Sequence, residues 1–138
     1  MKNEFWVNLP VKDLKKSKDF FIHLGFGIKE MTGNPTNIVI LLAGEKDVAI
    51  NLFEEKEFKG YSENEISDTK NATEVLFNIG AENKEEVDKF AEKVKKAGGE
   101  IYRGPEDKDG WMYGCGFTDL DGHRWSMLYM DMSKMPKG

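Results

Sequence analysis

The side chains with the clearest chemical potential interrupt runs that otherwise alternate apolar residues. Trp6 and Asn8 lie between Phe5, Val7 and Leu9, and Asn51 lies between Ile50 and Leu52. Glu74 and Asn78 sit in the run of Val75, Phe77 and Ile79, and Arg124 and Ser126 in the run of Trp125, Met127 and Tyr129. With a period of two, each apolar set faces a core and each polar set faces the opposite side of a strand. Their chemistries differ. A carboxylate on such a face, Glu74, suits a general base or an anchor for an amine or hydroxyl. Asn8, Asn51, Asn78 and Ser126 are neutral hydrogen-bonding groups, Arg124 is a fixed cation, and Trp6 offers an N–H donor only.

Other reactive residue types have simpler readings. Cys115 is the single cysteine, set between Gly114 and Gly116 with no histidine placed to activate it, and reads as a small buried hydrophobe. His23 falls inside a helical stretch and reads as a surface residue. His123 adjoins Asp119 and Asp121, where Asp and Gly serve turn geometry rather than a cation.

These residues need elements to hold them. The stretch 110–130 has two aromatic-rich runs around Asp119-Leu120-Asp121-Gly122, which is a hairpin signal. Gly114 and Gly116 inside its first run mark a bulge or a close approach of ligand or backbone. Upstream, 4–10 reads as a strand, followed by a helix over 14–24 with Asp13 as N-cap and Gly25 as C-cap. Strands are expected near 27–31, 37–43 and 48–53, with Asn34-Pro35 as turn chemistry. Residues 54–72 are charged and carry Phe58, Tyr61 and Ile66 as apolar anchors. They read as a connecting loop or lid, with room for a short helix near 63–68.

The pattern then repeats. A strand over 73–79 leads to an Asn83-x-x-Glu86 capping box, a helix through Val87, Phe90, Ala91, Val94 and Ala97, and closing glycines Gly98-Gly99. A short strand, 100–103, a polar loop with Pro105 and the hairpin complete it. The chain is therefore one α+β domain, 1–138, built of tandem βαβββ modules over about 4–54 and 73–131. Two mixed sheets, each with its helix on one face, are expected to form a curled sheet around a concave trough. The second faces of the strands line it, and Trp111, Tyr113 and Tyr61 rim it.

Bulk properties narrow the function. A formal charge of −5 argues against nucleic acid, since phosphate binding needs a concentrated basic surface. No run is apolar for long enough to span a membrane, and no apolar leader follows Met1-Lys2-Asn3-Glu4, so a cytoplasmic protein is expected. The aromatic inventory and acidic balance suit a neutral or cationic ligand. A curled sheet with two helices leaves open edges, so a homodimer is expected.

Asn8-Leu9-Pro10-Val11-Lys12-Asp13-Leu14 with Ser17, Phe20-Phe21 and Leu24-Gly25-Phe26 resembles the opening of the vicinal oxygen chelate superfamily. That superfamily includes glyoxalase I, bleomycin-resistance proteins, fosfomycin-resistance enzymes and extradiol dioxygenases. Ala97-Gly98-Gly99 and Asp119-Leu120-Asp121-Gly122-His123 are similar to its second-half signatures. The resemblance implies the glyoxalase/bleomycin-resistance/dioxygenase fold and, in the enzymes, a divalent metal held by His and Glu on four strands. Those positions fall here on Trp6, Asn51, Glu74 and Ser126, of which only Glu74 is a normal ligand. No metal residues are therefore assigned, and no cofactor is expected. Three readings follow. One is a metal-poor protein binding a small organic molecule through Trp6, Asn8, Asn51, Asn78, Trp111, Tyr113, Arg124 and Ser126. Another is a metal-dependent lyase or dioxygenase of the glyoxalase I or extradiol type, with Glu74 as catalytic base or ligand. The third is an interaction protein whose trough is vestigial.

Overall fold

The computed structural model describes residues 1–33 and 36–137, so the expected turn at Asn34-Pro35 lies outside the described residues. The chain forms two compact units, Met1–Ala72 and Thr73–Gly138. The first contains β1 (Val7–Val11), α1 (Leu14–Leu24), β2 (Gly27–Lys29), β3 (Val39–Ala43), β4 (Val48–Glu54) and α2 (Glu55–Ser62). The second contains β5 (Leu76–Gly80), α3 (Lys84–Ala97), β6 (Glu100–Lys108), β7 (Met112–Thr118), β8 (Arg124–Met130) and a 3-10 turn, Met132–Lys134. The sheets have equivalent orders, β1-β4-β3-β2 and β5-β8-β7-β6. In each, the first strand pairs in parallel with the last and the remaining pairs are antiparallel. This is the tandem βαβββ arrangement that the sequence implies.

The helices begin and end by the same device in both units. The side chains of Asp13 and Asn83 accept from the N–H groups of Lys16 and Glu86. Gly25 and Gly98 close the helices at φ 99° and 97°, a region costly for any residue with a Cβ. One face of each helix is apolar and packs on its own sheet. Leu14, Phe20, Phe21 and Leu24 of α1 are buried, as are Leu41, Ile50 and Leu52 of the first sheet. Val87, Phe90, Ala91 and Val94 of α3 are buried, together with Phe117, Trp125 and Met127 of the second. Phe117 stacks on Trp125 at 6.1 Å and meets Phe90 at 5.4 Å.

Four elements differ most from the sequence expectation. The strand expected from Glu4 starts only at Val7, so Trp6 precedes it. Residues 54–72 open with a helix, α2, rather than a loop, and the short helix expected at 63–68 is absent. Glu63 is left-handed at φ 52° and ends α2, and Asp68 then ties a turn through Asn71 and the N–H of Lys70. The strand expected from Thr73 starts only at Leu76. Leu76 pairs with Arg124, the first residue of β8, so nothing upstream has a strand partner. The strand expected at 100–103 continues to Lys108 through Pro105. β6 is an edge strand with two register shifts, and an edge tolerates a residue lacking an N–H. Among the described residues no helix is long and apolar enough to cross a membrane.

Candidate functional site

Each sheet has one face under its helix and a second face carrying the polar residues. In the first sheet, parallel register sets Asn8 beside Asn51. Asn51 Nδ2 donates to Asn8 Oδ1 at 3.1 Å. Asn51 Oδ1 is buried without a hydrogen-bond partner among the described residues, an acceptor left unsatisfied by the protein. Ile40, opposite Asn51 on β3, and Leu42 give this face an apolar surround. α2 closes one end of the same face, where Tyr61 meets Phe53 edge-on at 5.2 Å. Trp6, placed on this strand face by the sequence, lies just ahead of β1 and is 52% exposed.

The second sheet repeats the arrangement. Asn78 and Ser126 face each other across β5 and β8, and the Ser126 hydroxyl donates to Asn78 Oδ1. On the neighbouring β7, Gly116 lies opposite Ser126 and Gly114 opposite Leu128. A Cβ at Gly114 would come within 2.6 Å of the Met127 carbonyl oxygen, and one at Gly116 within 2.5 Å of the Tyr102 ring. The two glycines thus mark close approaches, one of backbone and one of an aromatic ring. Tyr102 lies across Gly116 with its hydroxyl donating to the Trp125 carbonyl at 3.4 Å. The Arg124 guanidinium sits over the same ring at 4.1 Å.

Asn8 with Asn51, and Asn78 with Ser126 and Arg124, are thus brought together within their own sheets. Glu74 is not part of either group: it lies in an exposed bend two residues before β5. Trp111 and Tyr113 belong elsewhere in the second unit. Tyr113 falls inside β7 with the parity of Cys115 and Phe117, which turns it to the α3 side, where its hydroxyl donates to Asp88 at 2.6 Å. That bond to a carboxylate pushes the phenol up to about 12. Trp111 precedes β7 and, with Lys84, Met112, Tyr129 and Asp131, lines a separate cavity of about 210 Å³ by the start of α3. The rim role expected of Tyr113 followed from reading it as a loop residue, whereas strand alternation fixes it toward the helix.

The remaining reactive types have structural roles. Asp119 is buried in the β7–β8 turn and accepts from the N–H groups of Asp121 and His123 and from Trp125 Nε1, each at 3.0 Å. Burial pushes its carboxyl up, against the opposing pull of His123 and of these three donors. Cys115 is buried, and its thiol is pushed up by the same desolvation. His23 is exposed on α1. Among the described residues no three His, Cys, Asp or Glu side chains gather closely enough to hold a metal ion.

The family model of the glyoxalase/bleomycin resistance protein/dioxygenase superfamily matches residues 5–127, from before β1 to the middle of β8. The chain belongs to this superfamily. No curated protein sequence matches this superfamily member. Among solved structures it is similar to the hypothetical protein SA1046 from S. aureus, with 36% identity, a TM-score of 0.82 and 94% of each chain covered. It is also similar to a glyoxalase/bleomycin resistance protein/dioxygenase family enzyme from Burkholderia phytofirmans PsJN. There the identity is 18% and the TM-score 0.75, over 91% of this chain and 96% of the other. Similarity extends to the fosfomycin resistance protein FosX from Listeria monocytogenes, with 19% identity and a TM-score of 0.66, over 96% and 97% of the two chains. At these lower identities the likeness is one of fold. Tyr102 is the residue of this glyoxalase-type face that sequence reading missed. Its only sequence signal was an aromatic in an edge strand, with no motif around it.

Proposed function

We propose that this protein is a member of the superfamily that binds a small organic molecule and lacks a complete metal site. The observation that carries this reading is the donor set at the four positions that, by the resemblance, correspond to the metal ligands of the superfamily's enzymes. Trp6 has no lone pair to offer, and Asn51 is a neutral amide whose Nδ2 is turned to Asn8. Ser126 is a neutral hydroxyl that donates to Asn78. Glu74 alone is a carboxylate, in an exposed bend. A catalytic divalent site needs about three good protein ligands, and this set does not fit one. The paired amides of Asn8 and Asn51 supply neutral hydrogen-bonding groups on that face, which suits a small organic ligand better than a metal. Cytoplasmic location, a homodimeric state and a partner that is neither nucleic acid nor membrane complete the reading; of these, the exclusion of nucleic acid is supported by the acidic charge of −5.

Metal analysis of protein purified without chelator tests it. Well under one equivalent of zinc, nickel, iron or manganese is expected, together with a thermal shift by small organic molecules that Asn51→Leu removes. Stoichiometric metal that disappears in Glu74→Gln would overturn the reading in favour of a metal-dependent lyase or dioxygenase.

A further inference from the structure

The chain holds two arginines, Arg103 and Arg124. They are differently engaged. Arg103 pairs with Glu106 at 3.6 Å on the exposed edge strand. Arg124 is partly buried on the second face of the second sheet and forms no ion pair among the described residues. One face of its guanidinium rests on the Tyr102 ring at 4.1 Å. That ring is itself held, lying over Gly116 and anchored by its hydroxyl to the Trp125 carbonyl. Stacking satisfies the flat face of a guanidinium and leaves its N–H edge free, and that edge matches a carboxylate in two parallel hydrogen bonds. Arg124 and Ser126 are alternate residues of β8 and so share this face with Asn78.

We propose that Arg124 binds a carboxylate group of the ligand and that Tyr102 is the positioning residue that holds the guanidinium for it. The proposal rests on the reading that the second face binds a small organic molecule. It replaces the neutral or cationic ligand expected from bulk charge with an acid. Held in place before the ligand arrives, the side chain loses little rotamer freedom on binding, so more of the charge-assisted bond appears as affinity.

Sodium benzoate and benzamide are the probes, nearly equal in size and shape but differing in charge. The intact ¹⁵N-labelled protein is titrated with each, and the two arginine Nε–Hε signals are told apart with Arg103→Lys. Benzoate is expected to move the Arg124 signal to saturation while benzamide leaves it in place. Arg124→Gln is expected to weaken benzoate about tenfold or more, the scale of a lost hydrogen bond to a charged group. Tyr102→Leu should weaken it several-fold and Tyr102→Phe much less, because the ring rather than the hydroxyl carries the stacking. Backbone spectra verify that each variant is folded. Benzamide shifting the amides of Asn78 and Ser126, with benzoate binding no better and equally well to Arg124→Gln, would overturn the acid preference and leave the binding face intact. If neither probe nor any neutral compound shifts those amides, the binding face fails and the proposal falls with it.

Discussion

Asp88 and Asp119 show two uses of a carboxylate that leave it outside catalysis. Asp88 holds Tyr113 as a neutral phenol, so the folded chain keeps that proton above pH 10, where an unfolded tyrosine loses it. Between pH 10 and about 12 the native state therefore binds more protons. The stabilisation is complete below pH 10 and drains away as pH rises through that window. Ultraviolet titration should show a tyrosine ionising late, near pH 12, and Asp88→Asn should bring that ionisation down. Asp119 accepts three N–H donors in a turn, and an amide there would set a donor against one of them. Asp119→Asn is expected to cost about 1–3 kcal/mol in denaturant unfolding, and a neutral result would mean that the turn does not depend on the charge. Gly116 and Gly104 make a matched pair. Alanine at Gly116 drives a methyl into Tyr102 and should cost about 1–3 kcal/mol. Alanine at Gly104 meets nothing within 4 Å and should change stability by less than about 1 kcal/mol in either direction.

Among the elements, α2 stands apart from α1 and α3, for it buries no residue fully and has no side-chain N-cap. It rests on β1 and β4 with Phe58 half-buried, and Tyr61 meets Phe53 edge-on. Hydrogen exchange should therefore show the amides of Glu55–Ser62 opening well before those of α1 or α3. Protection equal to that of α1 would show that α2 belongs to the rigid part of its unit. This helix also marks where the sequence was least legible. Gly60 and the charge density of 54–62 read as loop, and the apolar anchors Phe58 and Tyr61 were too few to give a period. The capped helices were legible to the residue, as 14–24 shows, because Asp13 and Gly25 act locally. Strand parity was legible too, since it pairs Asn8 with Asn51 and Asn78 with Ser126. Strand length was not, because the partner decides it: β5 can begin only where β8 does. The same limit hid Tyr102, whose importance arises from lying across a glycine of another strand.

At the scale of the whole chain, the repeated sheet order and repeated polar pair give each unit a second face of similar design. We expect light scattering to report twice 15.8 kDa, and a monomer at micromolar concentration would remove dimerisation from the proposal. Cys115 turns the difference between the units into a measurement. It is the chain's only thiol, it lies in β7 beside Phe117, and the first unit contains none. A thiol-directed reagent cannot reach a sulfur that is 1% exposed, so labelling waits for the second unit to open. The labelling rate is then a clock for that unit alone. It should quicken in Asp119→Asn, which loosens the turn between β7 and β8, and hold steady in Asp13→Ala, which removes a cap worth about 1 kcal/mol from the first unit. If both substitutions speed the clock equally, the two units open as one, and the duplication written in the sequence is not a duplication of stability.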